Sequence, residues 1–349
     1  MEPMIHIDGG QGSGSGTIVR FATAFAGLTR RPLHLSNARA RRPKPGLRPQ
    51  HLAAVKACAE LCGGEVGGLT VGAQEFTFRP GPRIRGGNFA WDIGTAGSVT
   101  MLALGILPLA CFADAPVAAR ISGGVFQDFA PSPYHMQHVL AVLLARMGAR
   151  VDMRVVRPGY VPAGGGVIEL RVQPVAAVLA PLSLNEPGVV ETVRGIALAS
   201  HLAERRVSER MAEVCEARLA AAGLPCAIER ALDTSATHAG ASLAVWASTS
   251  TGCMLGADRA GARRRSSEAI GRFVAASLLA DLAAGGTVDR HAADQLVLFA
   301  ALAAGATRYT APALTDHLQT NLWLAEQFGA RLRRAGRQVE VEGIALRRP

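Results

Sequence analysis

Three histidines open runs with the periodicity of an amphipathic helix: His51 in "HLAAVKACAELCGGEV", His135 in "HMQHVLAVLLARMGARVDM" and His317 in "HLQTNLWLAEQFGARLR". In each, apolar residues recur at i, i+3, i+4 and i+7, and a glycine follows where a helix would be capped. A helix start presents unpaired N–H groups and the positive end of the dipole, so loops converging on such starts form an anion site. An imidazole there serves as a helix cap, as a core residue or as a nucleophile, since it is largely neutral near pH 7. Residue type and spacing leave all three roles open. Asp316, beside His317, reads as the cap of its own helix.

Upstream of His51, "SNARARRPKPGLRPQH" sets Arg39, Arg41, Arg42, Lys44 and Arg48 among Pro43, Pro45 and Pro49. The prolines stiffen the loop, and guanidinium forks match phosphate oxygens. The formal net charge of +10 points the same way, toward a polyanionic partner. Glycine-rich turns in "IDGGQGSGSGTIVR", "DIGTAGSVT" and "GYVPAGGG" let backbone approach a phosphate, or simply let repeated elements pack closely. The loop and helix-end carboxylates are Asp8, Asp92, Asp128, Asp294 and Asp316. A second basic run, "DRAGARRRSSE" at 258–268, reads as a solvated loop. No Walker Lys-Ser/Thr, HExxH, GxSxG or kinase motif set is present.

These residues must be held by a large core, because 49% of the 349 residues are hydrophobic. That length implies two domains, or one with an insertion. The six cysteines lack CxxC spacing and read as buried reduced thiols of a cytoplasmic protein, and the N-terminus has no secretory pattern. The uncharged stretch at 94–113 contains Gly94, Gly97, Gly105 and Pro108, which predicts a buried helix and loop, not a membrane span.

Each histidine run is preceded by a further helix and strand, so the repeated unit is helix, strand, loop, helix, strand. Three units predict an α/β fold whose helices cover one face of each small sheet. The third begins near Thr287, far behind the second. The chain therefore divides into 1–184, with units one and two; 185–275, an inserted smaller α/β domain; and 276–349, with unit three. The insertion reads strand, helix, helix, strand, strand, helix.

Six motifs together, "DGGQGSGSGTIVR", "RARRPKPGLRPQHL", "IGTAGSVT", "GYVPAGGG", "HAADQLVL" and "DHLQTNLWL", resemble the RNA 3′-terminal phosphate cyclases in order and spacing. The resemblance implies repeats like the C-terminal domain of translation initiation factor 3, and ATP-dependent conversion of an RNA 3′-phosphate to a 2′,3′-cyclic phosphate. It implies His317 as the nucleophile that carries AMP. Arg20, Arg39, Arg42 and Gln50 would bind nucleotide or RNA phosphates. Pro131 and His291 would flank adenine, Asp294 and Gln295 would contact the nucleotide, and Arg48 and His51 would support. A divalent metal (Mg or Mn), a 3′-phosphate RNA partner, no membrane and a possible homodimer follow from the same resemblance. The chain departs from the family at Ser13, where a metal-binding Glu is usual, at Val125 and Phe126, and at His291, where another aromatic is usual. Related readings are a non-catalytic cyclase-like RNA- or protein-binding factor and an adenylyltransferase acting on DNA or 5′-phosphate ends. A carboxyvinyl transferase is the fourth, disfavoured by the insertion and by "DHLQTN".

Overall fold

The computed structural model describes residues 3–348. Its first unit runs β1 (Ile5–Asp8), α1 (Gly16–Thr29), β2 (Leu33–Ser36), α2 (Pro49–Cys62), β3 (Glu65–Gly67) and β4 (Phe76–Arg79). The second runs β5 (Gly87–Asp92), α3 (Val99–Cys111) and β6 (Val117–Gly123). It continues through α4 (Pro133–His135), a π turn (Met136–Leu140) and α5 (Ala141–Arg146) to β7 (Arg150–Arg157) and β8 (Gly166–Gln173). Their sheets share one design, with strand orders β1-β2-β4-β3 and β5-β6-β8-β7. In both, the first pair is parallel and the other two are antiparallel. Each unit thus opens on a strand and ends in a hairpin, so it holds four strands where the repeated pattern showed two.

The inserted sheet has the order β10-β9-β11-β12, from β9 (Val190–Ser200), α6 (Val207–Ala221), β10 (Cys226–Asp233), β11 (Gly240–Thr249) and β12 (Met254–Ala260). The expected helix pair is one 3-10 turn, Ala203–Arg205, leading into α6. Helix α7 (Ser267–Ala283) packs on α6 and β12 and crosses the expected boundary at 275. The basic run is only partly a loop, because Asp258, Arg259 and Ala260 belong to β12.

The last unit contains α8 (Arg290–Ala300), β13 (Ala306–Thr310), α9 (Asp316–Gln327), β14 (Arg331–Ala335) and β15 (Gln338–Glu342), in a sheet ordered β13-β15-β14. Residues 182–184 lie beside this sheet. Ser183 bridges Arg308 in parallel, and Leu184 N–H donates to the Arg308 carbonyl at 2.8 Å. That places 182–184 where β1 and β5 stand in the other units. Residues 185–289 therefore separate this short strand segment from α8 along the chain.

Helix α1 is buried from Gly16 to Leu28, with Arg20 included. It packs against α2, α3 and α9, while α8 meets α9 and α3. The helices therefore form the centre, and the strands of the first sheets alternate buried and exposed positions, with one face toward solvent. The glycines that close the histidine-led helices, Gly63, Gly148 and Gly329, have φ of 59, 92 and 99°. Helix α3 is buried throughout all but one position, and among the described residues no helix is long and apolar enough to cross a membrane. All six cysteines are free, and five are buried.

Candidate functional site

The three helix-start histidines take three different roles. His51 is a cap: its Nδ1 accepts the Arg48 backbone N–H at 3.1 Å, and burial, then Arg20 and Arg39, push its pKa down to about 2. His135 is a core residue, its Nε2 3.0 Å from Asp289 Oδ2 with both side chains buried. The third ring, His317, is neither a cap nor paired with a core carboxylate, and it lines a cavity. The helix it sits on is capped by Thr315, whose hydroxyl accepts from Leu318 N–H at 3.1 Å; Asp316 is the first helical residue and not the cap.

That cavity, of about 710 Å³, lies where α1, α2, α8 and α9 meet the inserted domain. Every residue to which the resemblance gives a catalytic, nucleotide or phosphate contact lines it: Arg20, Arg39, Arg42, Gln50, Pro131, His291, Asp294, Gln295 and His317. The supporting residues Arg48 and His51 line it as well. The inserted domain contributes Asp258 and Arg259 of β12 and Phe273 and Ser277 of α7.

Close packing of the glycine-rich turn sets this geometry. A Cβ on Gly16 would stand 2.0 Å from His51 Nε2, so only glycine lets α1 start against α2. The same turn is tied to the helix of His317, since Ser13 N–H donates to Thr320 Oγ1 at 2.8 Å, one turn beyond the histidine. Gln50 accepts the Ser98 N–H at 2.9 Å through its carbonyl oxygen, which leaves its donor end for an anion. Arg39 NH1 donates to the Lys44 and Gly46 carbonyls at 2.8 and 2.6 Å, so it braces the proline-rich loop as well as facing the cavity.

The electrostatics suit an anion. Burial, then the charges of Arg42 and Arg20, hold the His317 pKa below its usual value, so the ring is neutral at pH 7. Arg20 is 3% exposed, its pKa is lowered by burial to about 10, and it stays charged. Its Nε has no hydrogen-bond partner, and NH2 reaches only Thr17 Oγ1 at 3.5 Å and Met101 Sδ at 3.9 Å. A buried guanidinium with unmet donors in a cavity wall is completed by an anionic oxygen. Burial and the nearby Asp289 raise the Asp294 pKa to about 8, so that at pH 7 its carboxyl is mostly neutral and does not repel an anion. Gln295 Oε1 is also buried without a partner, an acceptor left for a ligand.

The chain matches the RNA 3′-terminal phosphate cyclase family over residues 11–332. It is a member of that family of enzymes. The RNA 3′-terminal phosphate cyclase of Methanopyrus kandleri is 38% identical over 333 residues, covering 93% of each chain. That of Hyperthermus butylicus is 40% identical over 325 residues, covering 91% of this chain and 90% of the relative. That of Pyrobaculum aerophilum is 36% identical and covers 99% of both. The enolpyruvyl transferase NikO from Streptomyces tendae superposes with a TM-score of 0.41 at 12% identity, covering 99% of this chain and 50% of that one, too little to bear on fold or chemistry.

Within this cyclase-family chain, Ser13 lies outside the cavity lining, its hydroxyl donating to Ser15 Oγ at 3.0 Å. Among the described residues no group of three His, Cys, Asp or Glu side chains could hold a metal, and Asp8 already accepts from Gly10, Gln11 and Asn37. Sequence reasoning missed Asp289 and treated the basic run as solvated. Asp289 caps α8 by accepting from His291 and Ala292 N–H, both at 2.9 Å, and an Asp just before "RHAADQ" was the available signal. Two arginines of the basic run are not free in solvent: Arg265 grips Asp128 at 3.0 and 2.7 Å, and Arg259 approaches the same carboxylate at 3.3 Å.

Proposed function

We propose that this enzyme converts an RNA 3′-phosphate end to a 2′,3′-cyclic phosphate at the expense of ATP, with His317 as the carrier of AMP. The observation that carries the reading is a neutral imidazole at a helix start in a cavity whose wall holds the unsatisfied Arg20 guanidinium. A ring nitrogen of His317 attacks the α-phosphorus of ATP. The bond to pyrophosphate breaks, an N–P bond forms, and the ring sheds its remaining N–H proton. The ring takes a proton back as an oxygen of the RNA 3′-phosphate displaces it, so neutral imidazole leaves and AMP is joined to the RNA end through a phosphoanhydride. Attack by the neighbouring ribose 2′-OH on the 3′-phosphorus expels AMP and closes the cyclic phosphate.

Arg20, Arg39 and Arg42 stabilise charge on the transferring phosphoryl oxygens, and the donor end of Gln50 adds a neutral contact. Pro131 and His291 would flank the adenine, with Asp294 and Gln295 completing the nucleotide contacts. A divalent metal, Mg or Mn, would be held chiefly by the nucleotide phosphates and would neutralise charge there. The repeated units are read as the family's likeness to the C-terminal domain of translation initiation factor 3.

The test is the product. A 5′-labelled RNA with a 3′-phosphate, incubated with ATP and the enzyme, should become resistant to phosphatase, and a 2′-deoxy terminal nucleotide should stop at the adenylated end. An RNA that stays phosphatase-sensitive while ATP and RNA both bind would favour the non-catalytic relative. Label transferred equally to 5′-phosphate or DNA ends would favour the broader adenylyltransferase.

A further inference from the structure

One large apolar side chain is placed in the open where the fold gains nothing from it. Phe129 is 102% exposed, yet it lines the same cavity as Arg20, Arg42 and His317. Its φ is 65°, in the left-handed region, where a residue with a bulky side chain is strained by ~1–3 kcal/mol. The segment around it is not loose. On one side, Phe126 is buried, with its ring 5.4 Å from that of Tyr134 and 5.7 Å from that of Tyr160. Next to it, Asp128 is gripped by Arg265 and Arg259 of the inserted domain. On the other side, Ser132 N–H donates to Asp258 Oδ2 at 2.6 Å. Fixed anchors on both flanks therefore hold a strained backbone whose one consequence is an aromatic face at the cavity.

We propose that Phe129 is a stacking platform for a nucleobase whose phosphate occupies the arginine-lined part of the cavity. The inference rests on the nucleotide reading above and adds a residue to it. What fits there must offer a flat apolar face tethered to an anion, which describes a base on its sugar phosphate. Every base has such a face, so the contact is tolerant of sequence. Pro131 and His291 already flank the adenine in that reading, so the base is that of the terminal nucleotide of the RNA.

Equilibrium binding to the full chain, read without turnover, separates the RNA end from adenine. The probes are AMP against ribose 5-phosphate, and a 3′-phosphorylated oligoribonucleotide against the same oligomer with an abasic last nucleotide. Phe129→Ala should weaken a base-bearing probe roughly 5- to 100-fold and leave its base-less counterpart unchanged. Loss on the oligomer alone is the expected result; loss on AMP would overturn the assignment to the RNA end and give the platform to adenine. Phe129→Trp should restore affinity, and Phe129→Gly, which accepts the left-handed backbone, should lose affinity with no fall in Tm. Unchanged binding of all four probes, or equal loss with and without the base, overturns the proposal. A wild-type chain that binds neither AMP nor the oligomer overturns the nucleotide reading itself.

Discussion

His135 and Asp289 face each other at 3.0 Å in the buried core, 154 residues apart in sequence, and the contact joins three parts of the chain. His135 belongs to the second unit, and Asp289 caps the helix that carries His291, Asp294 and Gln295. The same Asp289 Oδ2 accepts the N–H of Gly256 from the inserted domain at 2.9 Å. The pair therefore fixes how the insertion and α8 frame the cavity.

Removing one partner leaves a buried charge unmatched, so Asp289→Ala should cost ~3–5 kcal/mol in urea unfolding. The pH dependence has a definite sign. Burial alone would lower the His135 pKa, but Asp289 outweighs it and raises it from 6.5 to about 9. The resulting stability is complete below 6.5 and fades as pH rises through about 9. Asp289 is held below its usual 3.8, so its share is lost only in acid. Asp289→Asn should abolish the alkaline decline in Tm; a decline of undiminished size would contradict the pairing.

Asp294 runs the other way. The folded protein holds its proton up to about pH 8, whereas the unfolded chain releases it near 3.8, so stability falls as pH rises between those values. Asp294→Asn cannot ionise. Its Tm relative to wild type should climb across that window, and a flat difference would show that the carboxyl is not perturbed.

How far the sequence foretold this depends on which contacts were local. The helix starts were readable because Ser, Thr and Pro stand just ahead of each histidine, and the arginines were readable from their density in one loop. The three histidines could not be told apart, since their roles are decided by Arg48, Asp289 and the cavity, and the second of these lies in another unit. The segment 182–184, beside the third sheet, was not readable because residues 185–289 separate it from α8 along the chain. Strand β3 was read as the short strand that closes the first histidine run, whereas its hairpin partner β4, four residues long, was missed.

Arg20 provides a test of stability against function. Methionine of similar length removes a buried charge without a partner, so Arg20→Met should match or exceed the wild-type Tm while weakening ATP roughly 10- to 100-fold. Arg20→Lys should recover little, because an ammonium lacks the planar fork. A variant that loses stability and keeps ATP affinity would make Arg20 a structural cation.

Gly16→Ala pushes a methyl into His51 Nε2 and should cost ~1–3 kcal/mol by overpacking. In the double variant with His51→Ala the two effects should fall short of their sum, since the clash is gone. Strict additivity in urea midpoints would mean that the two sites do not touch.

The central claim is that His317 accepts AMP. Purified enzyme and His317→Ala, each shown to be folded, would be incubated with α-labelled ATP and Mg²⁺ or Mn²⁺, and the protein examined for label. Acid-labile, base-stable label on the wild type alone is the predicted result. Wild type without label under either metal, or label that survives His317→Ala, would contradict it.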